Sequence, residues 1–522
     1  MNLEQLINPL LSNSELIIPR VEISGLVTDN RDVELNDCFI ALAGITHHGK
    51  QFIDDALERG ASAVIVESDT DSVEMKQNTQ QENIPVIYLA RLKLMLNTLL
   101  IDFYNQSTDA FDMRLLAVTG TNGKSSITRF IAQMSAALNQ PAGLMGTLGF
   151  GIWPDICESK NTTPELAVLL RQFSMMKQQG AEVVAMEVSS HGIEQQRIEG
   201  LTFDTAVFAN LSQDHLDYHG DMESYFAIKR QLFLAPELKF AIINSDDDYG
   251  QRLLLDEAIS AKKLSYGFAD TADIKVVNWQ MHGASIDADI STPWGNAHFS
   301  IDMVGDFNLA NVLAAIAVLA VEEQFSLNEI VDAIENISPA PGRMQAYQKN
   351  DSAAAIVDFA HTPDALKNVL ATLSRQMKKQ SSCGQSRQGK LALVFGCGGN
   401  RDKEKRALMS TVAQELADVI YLTADNPRHE ELDTIITDMQ LGLDRASHKK
   451  VRIELDREQA INKAVNELNA DDVLLIAGKG HETYQDVAGV KIPYSDEAVL
   501  LALGYQDSSS KVVNNNSQEV LK

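Results

Sequence analysis

The residues best suited to chemistry lie in one turn, Gly120-Thr121-Asn122-Gly123-Lys124-Ser125-Ser126, between the apolar run "RLLAVTG" and the helix-like "SSITRFIAQMSAALN". A glycine turn leading from strand to helix aims backbone N–H groups at an anion. A lysine followed by a hydroxyl residue adds charge for the β- and γ-phosphates and an oxygen for magnesium. The common phosphate loop reads G-x-x-x-x-G-K-[ST], whereas Val118 stands here at the first glycine, so the turn is a shortened form. The strand, turn, Gly-Lys-Ser and helix follow in order, which favours nucleotide binding over a plain Gly-Asn turn carrying a surface lysine.

Further polar turns follow apolar runs. "AMEVSSHG" crowds Glu187, Ser189, Ser190 and His191 together; Glu187 suits magnesium in a phosphate-loop enzyme, or is simply a strand-end charge. "NLSQDHLDYHG" sets His215 and His219 among Asp214 and Asp217, either as ligands or as partners in local hydrogen bonds. In "GDFNLANVLAA", Asn308 and Asn311 share a helix face, where their amides can read a base or ribose, or cap the helix. The proline-rich "SPAPGRMQ" carries Arg343, and a hinge arginine reaches phosphate when two domains close.

The elements that must position these groups are legible as a pattern. A chain of 522 residues implies about two to four domains. Residues 1–107 hold short apolar runs between turns, as a small α/β domain does. Over 108–337 strand-like and helical runs alternate, implying a largely parallel sheet under helices. The alternation restarts over 338–505 with "AAIVDFAHT", "KLALVFGCGGN", "DVIYLTADNP" and "DDVLLIAGKG", each run ending where open α/β sheets bind ligands. The segment 378–390 reads as an exposed loop and 506–522 as a disordered tail.

Composition narrows the function class. The net charge of -28 argues against broad nucleic-acid binding. The N-terminal residues lack a secretory pattern, and the longest apolar run, Val312 to Val321, is about half of the roughly 20 residues a membrane span needs. A cytoplasmic protein without membrane association is expected. Cys38, Cys157, Cys383 and Cys397 show no C-x-x-C spacing, so neither a zinc knuckle nor a disulfide framework is expected.

Taken together, T-G-T-N-G-K-S, Asn161-Thr162-Thr163, "MEVSSHG", "NLSQDHLDYHG", "GDFNLANVLAA", "PGRMQ" and "DFAHTPDAL" resemble the Mur ligases, which build the peptide of bacterial cell-wall precursors by ATP-driven amide formation. The resemblance runs in order over about residues 25 to 500. It implies an α/β protein of three domains: a small N-terminal α/β domain for UDP, a central ATPase-type parallel sheet and a C-terminal Rossmann-like domain for the amino acid. It also implies ATP and Mg2+. Gly120, Thr121, Asn122, Gly123, Lys124, Ser125 and Ser126, with Asn311, Arg343 and Asp358, match the ATP positions. Lys124, Glu187, His215 and Lys229 match the catalytic ones. Ser125, Glu187, His215 and Lys229 match those associated with magnesium, Lys229 as a carbamate (N6-carboxylysine); the sequence alone makes it an ordinary helix lysine.

"TADNPRHEE" resembles the D-N-P-R signature of the members that add meso-diaminopimelate to UDP-N-acetylmuramoyl-L-alanyl-D-glutamate. Arg428 offers a planar fork for the extra carboxylate, which lysine lacks at its far end. Glu482 suits the distal ammonium and Arg401 a further carboxylate, with Asp425, Asn426, Pro427 and Gly478 beside them. For the UDP-muramoyl-dipeptide the matching residues are Thr28, Asn30, Ile45, Thr46 and His47, then Asn161, Thr162, Thr163, Ser189, Gln195 and Arg197. His48 departs from the family, standing where aspartate is common. The resemblance implies an acyl-phosphate mechanism and cell-wall precursor synthesis, and the acidic surface fits a monomer. Alternatives are the same ligation with L-lysine, a folylpolyglutamate-type ligase, or a nucleotide-dependent scaffold without turnover.

Overall fold

The computed structural model describes residues 1–11, 16–44, 48–108, 112–159, 161–282, 285–303, 305–379, 389–445 and 447–507. Most of the expected loop at 378–390, Cys383, and the tail after Asp507 lie outside the described residues. The chain divides into two compact units: Met1–Val118 with Asn139–Ala206 and Ala235–Lys239, and Thr119–Leu138 with Val207–Leu234 and everything from Phe240 onward.

In the first unit, one sheet has the spatial order Gly25–Val27, Asp37–Ala41, Ala63–Ser68, Asn83–Ala90 and Ser72–Gln77. All neighbours are parallel except the last pair. Ala63, Val64, Ile65 and Val66 are wholly buried, the continuous apolar run expected of a parallel strand covered on both faces. Ile53, Ala56 and Leu57, at helical spacing in Ile53–Glu58, seal one face against Val27, Phe39, Val64 and Val86. A second group of strands follows the order Arg114–Thr119, Val183–Glu187, Ala142–Gly146, Gly149–Ile152 and Asp155–Cys157. The first three are parallel and the rest antiparallel. Arg171, on helix Leu166–Gln178, ties this group to the first sheet by pairing at 2.8 Å with the wholly buried Asp37.

In the second unit, Phe240–Asn244 and Lys262–Gly267 are parallel, and Lys262–Gly267 is parallel to Ile274–His282. The sheet is then extended at this edge by an antiparallel meander through Ser285–Thr292 and Gly295–Ile301, which the sequence reading did not anticipate beside the parallel strands it expected. The reason is visible in Ser285–Thr292, where Ile286, Ala288 and Ile290 are buried and the residues between them half-buried. That period of two belongs to a sheet with one wet face. Helix Asp306–Ala320 packs on the helix of the phosphate turn, Lys124–Ala137, and is buried almost all round, as a core helix must be.

The remaining sheet of this unit has the order Val451–Ile453, Val419–Leu422, Leu391–Phe395, Val473–Ala477, Ala354–Asp358, Gln345–Gln348 and Gln506–Asp507. The first five are parallel and the last two antiparallel. Gln506 and Asp507, where the tail was expected to begin, pair with Gln348 and Tyr347. Alternate residues serve opposite cores: Leu391, Leu393 and Phe395 one face, Ala392 and Val394 the other. The chain leaves Leu391–Phe395 toward one edge and returns to lay Val473–Ala477 on its other side. The crevice at the carboxyl ends of these two strands is therefore a topological switch point, where such sheets bind ligands. Among the described residues, no helix is long and apolar enough to cross a membrane.

A wholly buried ion pair stands under that crevice. Arg457 donates to both oxygens of Asp496 at 2.7 Å and to the carbonyls of Ala424 and Ala477, at the ends of two strand turns. Removing one partner of such a pair strands the other charge, at a cost of about 3–5 kcal/mol. Arg457→Met should therefore lower the unfolding free energy measured by chemical denaturation by that much; a loss under about 1 kcal/mol would contradict this account of the pair.

Candidate active site

The turn after Arg114–Thr119 shows why the loop is short. Val118 is a wholly buried strand residue whose carbonyl accepts from Val188 N, so the strand continues where longer loops have begun to turn. The turn itself is Gly120 to Gly123, and Gly123, at φ +87°, caps helix Lys124–Ala137. A Cβ on Gly123 would come within 2.7 Å of Asn311 Oδ1, so Asn311 lies directly on the loop. Gly305 is the cap of helix Asp306–Ala320, which takes Asn308 and Asn311 out of a capping role. Asn210 holds the turn from the other side: its side chain accepts from Asn122 N at 2.9 Å and its carbonyl from Thr121 N. Farther along the helix, Arg129 and Gln133 hydrogen-bond Ser338, where the segment leading to Arg343 starts.

Two lysines converge on this turn. Lys124 Nζ donates to the carbonyls of Gly120 at 2.9 Å and Thr121 at 3.0 Å. Lys229, buried on helix Met222–Gln231, donates to the same Gly120 carbonyl at 3.1 Å. Burial, and then the charge of Lys124, hold its amine well below the usual lysine range. Beneath it lies the Tyr225 ring at 4.8 Å, itself stacked on His219.

His215 opens the next helix with a left-handed backbone, φ +56°. Its Nε2 is 3.3 Å from Asp214, whose other neighbours are Lys405 at 3.7 Å and His361 at 3.9 Å. Asp214 is brought down to about 2, since the charges of His215, His361 and Lys405 outweigh its burial. His361, whose Nδ1 donates to Phe359 O, is pushed down to about 4 by burial and Lys405. Arg343 lies over the Phe359 ring at 4.5 Å. Asp358, at its strand's end, accepts from Met344 N and Ala360 N; burial raises its carboxyl and Arg343 opposes the rise.

In the first unit Glu187 ends its strand, buried, and accepts from Thr147 N at 2.8 Å and Thr147 Oγ1 at 3.3 Å. Thr147 Oγ1 is 2.9 Å from Thr162 Oγ1. Only glycine fits at 146, because a Cβ there would lie 2.2 Å from Glu187 Oε1. Thr163 links Glu187 O to Ser189 N, while Arg197 donates to Thr163 O and Gln195 Oε1. The expected dipeptide residues thus form one cluster with Glu187, apart from Asn161, which is exposed. Thr147 escaped the sequence reading, although its G-T-L-G turn after an apolar strand was a usable signal.

Elsewhere in that unit, Asn30 donates to Asp55 at 2.6 Å, and Thr28 follows strand Gly25–Val27. Ile45, Thr46 and His47 lie outside the described residues. His48 has a clear local role: its Nδ1 accepts from Lys50 N and caps the short helix Gly49–Phe52, the bond an aspartate would make.

At the switch-point crevice, Arg401, Asp425, Asn426, Arg428, Gly478 and Glu482 line one cavity of about 160 Å³, along with Asp214, His215, His361 and Lys405. Pro427 is not on its wall but lines a neighbouring hollow with Arg428. Arg428 Nη1 donates to Gly399 O. Lys479, wholly buried, donates to Glu482 Oε2 at 2.7 Å and Asn426 Oδ1 at 3.1 Å, and Asn426 Nδ2 donates to the same Oε2. Sequence reasoning missed Lys479, though "GKG" after an apolar strand flagged it. It also missed Lys405, which nothing in the string separates from its neighbour Lys403. Among the described residues no three His, Cys, Asp or Glu side chains gather as a metal site.

The chain resembles known proteins along most of its length. Family models match as "Mur ligase family, catalytic domain" over residues 22–104, "Mur ligase middle domain" over 118–319 and "Mur ligase, glutamate ligase domain" over 342–480. The UDP-N-acetylmuramoyl-L-alanyl-D-glutamate--2,6-diaminopimelate ligase of Chromobacterium violaceum is 40% identical, over 95% of this chain and 97% of its own. Its namesake from Coxiella burnetii is 37% identical, over 95% and 98%. A solved structure of a ligase of that name aligns with a TM-score of 0.63 at 33% identity, covering 96% of this chain and 98% of that one. MurF from Thermotoga maritima in complex with ADP, at 17% identity and a TM-score of 0.64, shares the fold.

His361 supplies a test of the cluster around Asp214. Between about pH 4 and its ordinary 6.5 the unfolded chain binds a proton at this residue that the folded chain does not, so stability rises with pH across the window. His361→Gln should flatten that rise in denaturation midpoints; an unchanged slope would contradict the lowered pKa of this imidazole.

Proposed function

The chain belongs to the Mur ligase family, and from that premise we propose that it joins meso-diaminopimelate to UDP-N-acetylmuramoyl-L-alanyl-D-glutamate at the expense of ATP. The product is a peptidoglycan precursor. The observation that carries this reading is the shared cavity of Arg401, Asn426, Arg428 and Glu482. Two guanidinium groups and a carboxylate suit an amino acid whose far end carries its own carboxylate and ammonium. Lys479 and Asn426 orient Glu482 through Oε2, and Oε1 is the oxygen assigned to the distal ammonium.

A carboxylate is a poor electrophile and needs a leaving group before an amine can displace it. The γ-carboxylate of the D-glutamyl residue attacks the γ-phosphorus of ATP, forming an acyl phosphate and ADP. The diaminopimelate amine then attacks the acyl carbon, and the tetrahedral intermediate expels phosphate. N–H groups of the turn at 120–126 and Lys124 stabilise charge on the transferring phosphoryl group, each well-placed donor contributing about 3 kcal/mol. Asn311 and Arg343 hold the nucleotide, with Asp358 orienting it. Thr28, Asn30, Ile45, Thr46 and His47 serve the UDP group; Asn161, Thr162, Thr163, Ser189, Gln195 and Arg197 serve the dipeptide. Residues 1–107, 108–337 and 338–505 act as the corresponding three domains, closing around the acyl phosphate to keep water out. We assign the enzyme to the cytoplasm, as a monomer.

Magnesium is assigned to Ser125, Glu187, His215 and Lys229. Bound there, it would neutralise phosphate charge. An ammonium at Lys229 does not suit that set, whereas a carbamate does. The buried, weakly basic amine described above is the form on which carbon dioxide adds, and the carbamate supplies an anionic oxygen.

Three outcomes test this reading. ADP release by the purified protein with ATP, magnesium and the UDP-muramoyl-dipeptide should be strongly stimulated by meso-diaminopimelate and little by L-lysine, with the preference lost in Arg428→Ala. Equal use of both amino acids would remove the specificity claim, and no turnover with either would remove the ligase claim. Lys124→Ala should lower kcat by about 10²–10³; a smaller loss would move the phosphate site elsewhere. Carbon-13 bicarbonate should give a carbamate NMR resonance that Lys229→Arg lacks, and its absence from the wild type would refute the modification.

A further inference from the structure

Arg401 and Arg428 sit on separate turns, one after strand Leu391–Phe395 and one after its parallel neighbour Val419–Leu422. Neither guanidinium can read a carboxylate reproducibly unless these turns keep a fixed spacing. An ion pair with a wholly buried arginine helps tie them together. Arg406, wholly buried on helix Glu404–Leu416, meets Glu430 as a fork, Nη1 to Oε2 at 3.0 Å and Nη2 to Oε1 at 3.1 Å. The same Nη2 donates to Gly398 O on the first turn, and Nη1 also donates to Asp438.

Glu430 belongs to the second turn, two residues after Arg428, and its Oε1 accepts from Asn400 N on the first. Three further bonds cross between the turns: Gly399 N to Asn426 O, His429 N to Asn400 Oδ1, and Arg428 Nη1 to Gly399 O. Arg406 and the Asn400 amide pull the Glu430 carboxyl down to about 2. Neither Arg406 nor Glu430 lines the cavity that holds Arg401 and Arg428.

We propose that the Arg406–Glu430 pair is a positioning device for substrate selection, setting the spacing of Arg401 and Arg428 so that the pocket accepts an amino acid with a second carboxylate and rejects one without it. This rests on the diaminopimelate reading above. The pair lies off the wall of that cavity and acts through the two turns it joins. Its removal should therefore damage recognition of the amino acid while sparing the nucleotide and the UDP-dipeptide.

The experiment measures KM for all three substrates, and the ratio of kcat/KM for meso-diaminopimelate to that for L-lysine, in the wild type, Glu430→Gln and Arg406→Lys. Arg406→Lys keeps the charge but loses the fork, and serves if Glu430→Gln fails to fold. Displaced arginines should raise KM for diaminopimelate about tenfold or more and reduce the ratio similarly, with KM for ATP and the UDP-dipeptide changing less than about twofold. Unchanged diaminopimelate parameters in a folded variant, or a parallel rise of all three KM values, would overturn the proposal. A wild type that ignores diaminopimelate would instead overturn the functional reading beneath it, so the two failures are distinguishable.

Discussion

The Gly120 carbonyl accepts from two lysine side chains, Lys124 at 2.9 Å and Lys229 at 3.1 Å, and much of the central site follows from that crowding. Two ammonium groups on one oxygen repel, and burial with the neighbouring charge of Lys124 holds the Lys229 amine well below the usual lysine range. Lys124 keeps the role of a charge at the turn. Lys229 is held over the Tyr225 ring. The loop can be this tight because Val118 stays in the sheet and Gly123 leaves room for Asn311. One short turn thus brings the strand, its helix, Asn311 and Lys229 into a single assembly.

The same economy appears at the switch-point crevice, where buried charges act by fixing loops. Arg457 holds the Ala424 and Ala477 carbonyls, Lys479 orients Glu482 and Asn426, and Arg406 spans the turns of Arg401 and Arg428. Each charge is compensated by a carboxylate, with backbone carbonyls added at Arg457 and Arg406 and the Asn426 amide oxygen at Lys479, the condition under which a buried ion is tolerable. Asp214, with Lys405, His361 and His215 around it, lies on the wall of the cavity that also holds Arg401 and Arg428. Arg401, Arg428 and the loop of Asp214 and His215 therefore share one cavity.

Local signals made much of this legible in the sequence. Continuous apolar runs ending in glycine or polar turns located the parallel strands, and the Gly-Lys-Ser turn located the helix that starts at Lys124. The antiparallel meander was missed because its period of two was not weighed against the expectation of alternating strands and helices; Ile286, Ala288 and Ile290 carried that signal. Motifs pointed to Glu187, Arg428 and Glu482, but not to the groups that hold them. Thr147, Lys405, Arg406 and Lys479 matter through contacts across the fold, and a lysine in "DKEKR" acquires its environment only when the helix carrying it is packed. Burial made Lys229 unusual, and burial of a single helix lysine cannot be read from its neighbours.

The central claim is that the dipeptide carboxylate is activated by taking the γ-phosphoryl group of ATP. Oxygen-18 placed in the γ-carboxylate of the D-glutamyl residue tests it directly, by mass analysis of the inorganic phosphate released during ligation. The account predicts one labelled oxygen in each phosphate, since the acyl C–O bond breaks when the amine attacks. Unlabelled phosphate accompanying labelled amide product would show that the carboxylate oxygen never reached phosphorus, and would contradict the acyl-phosphate route.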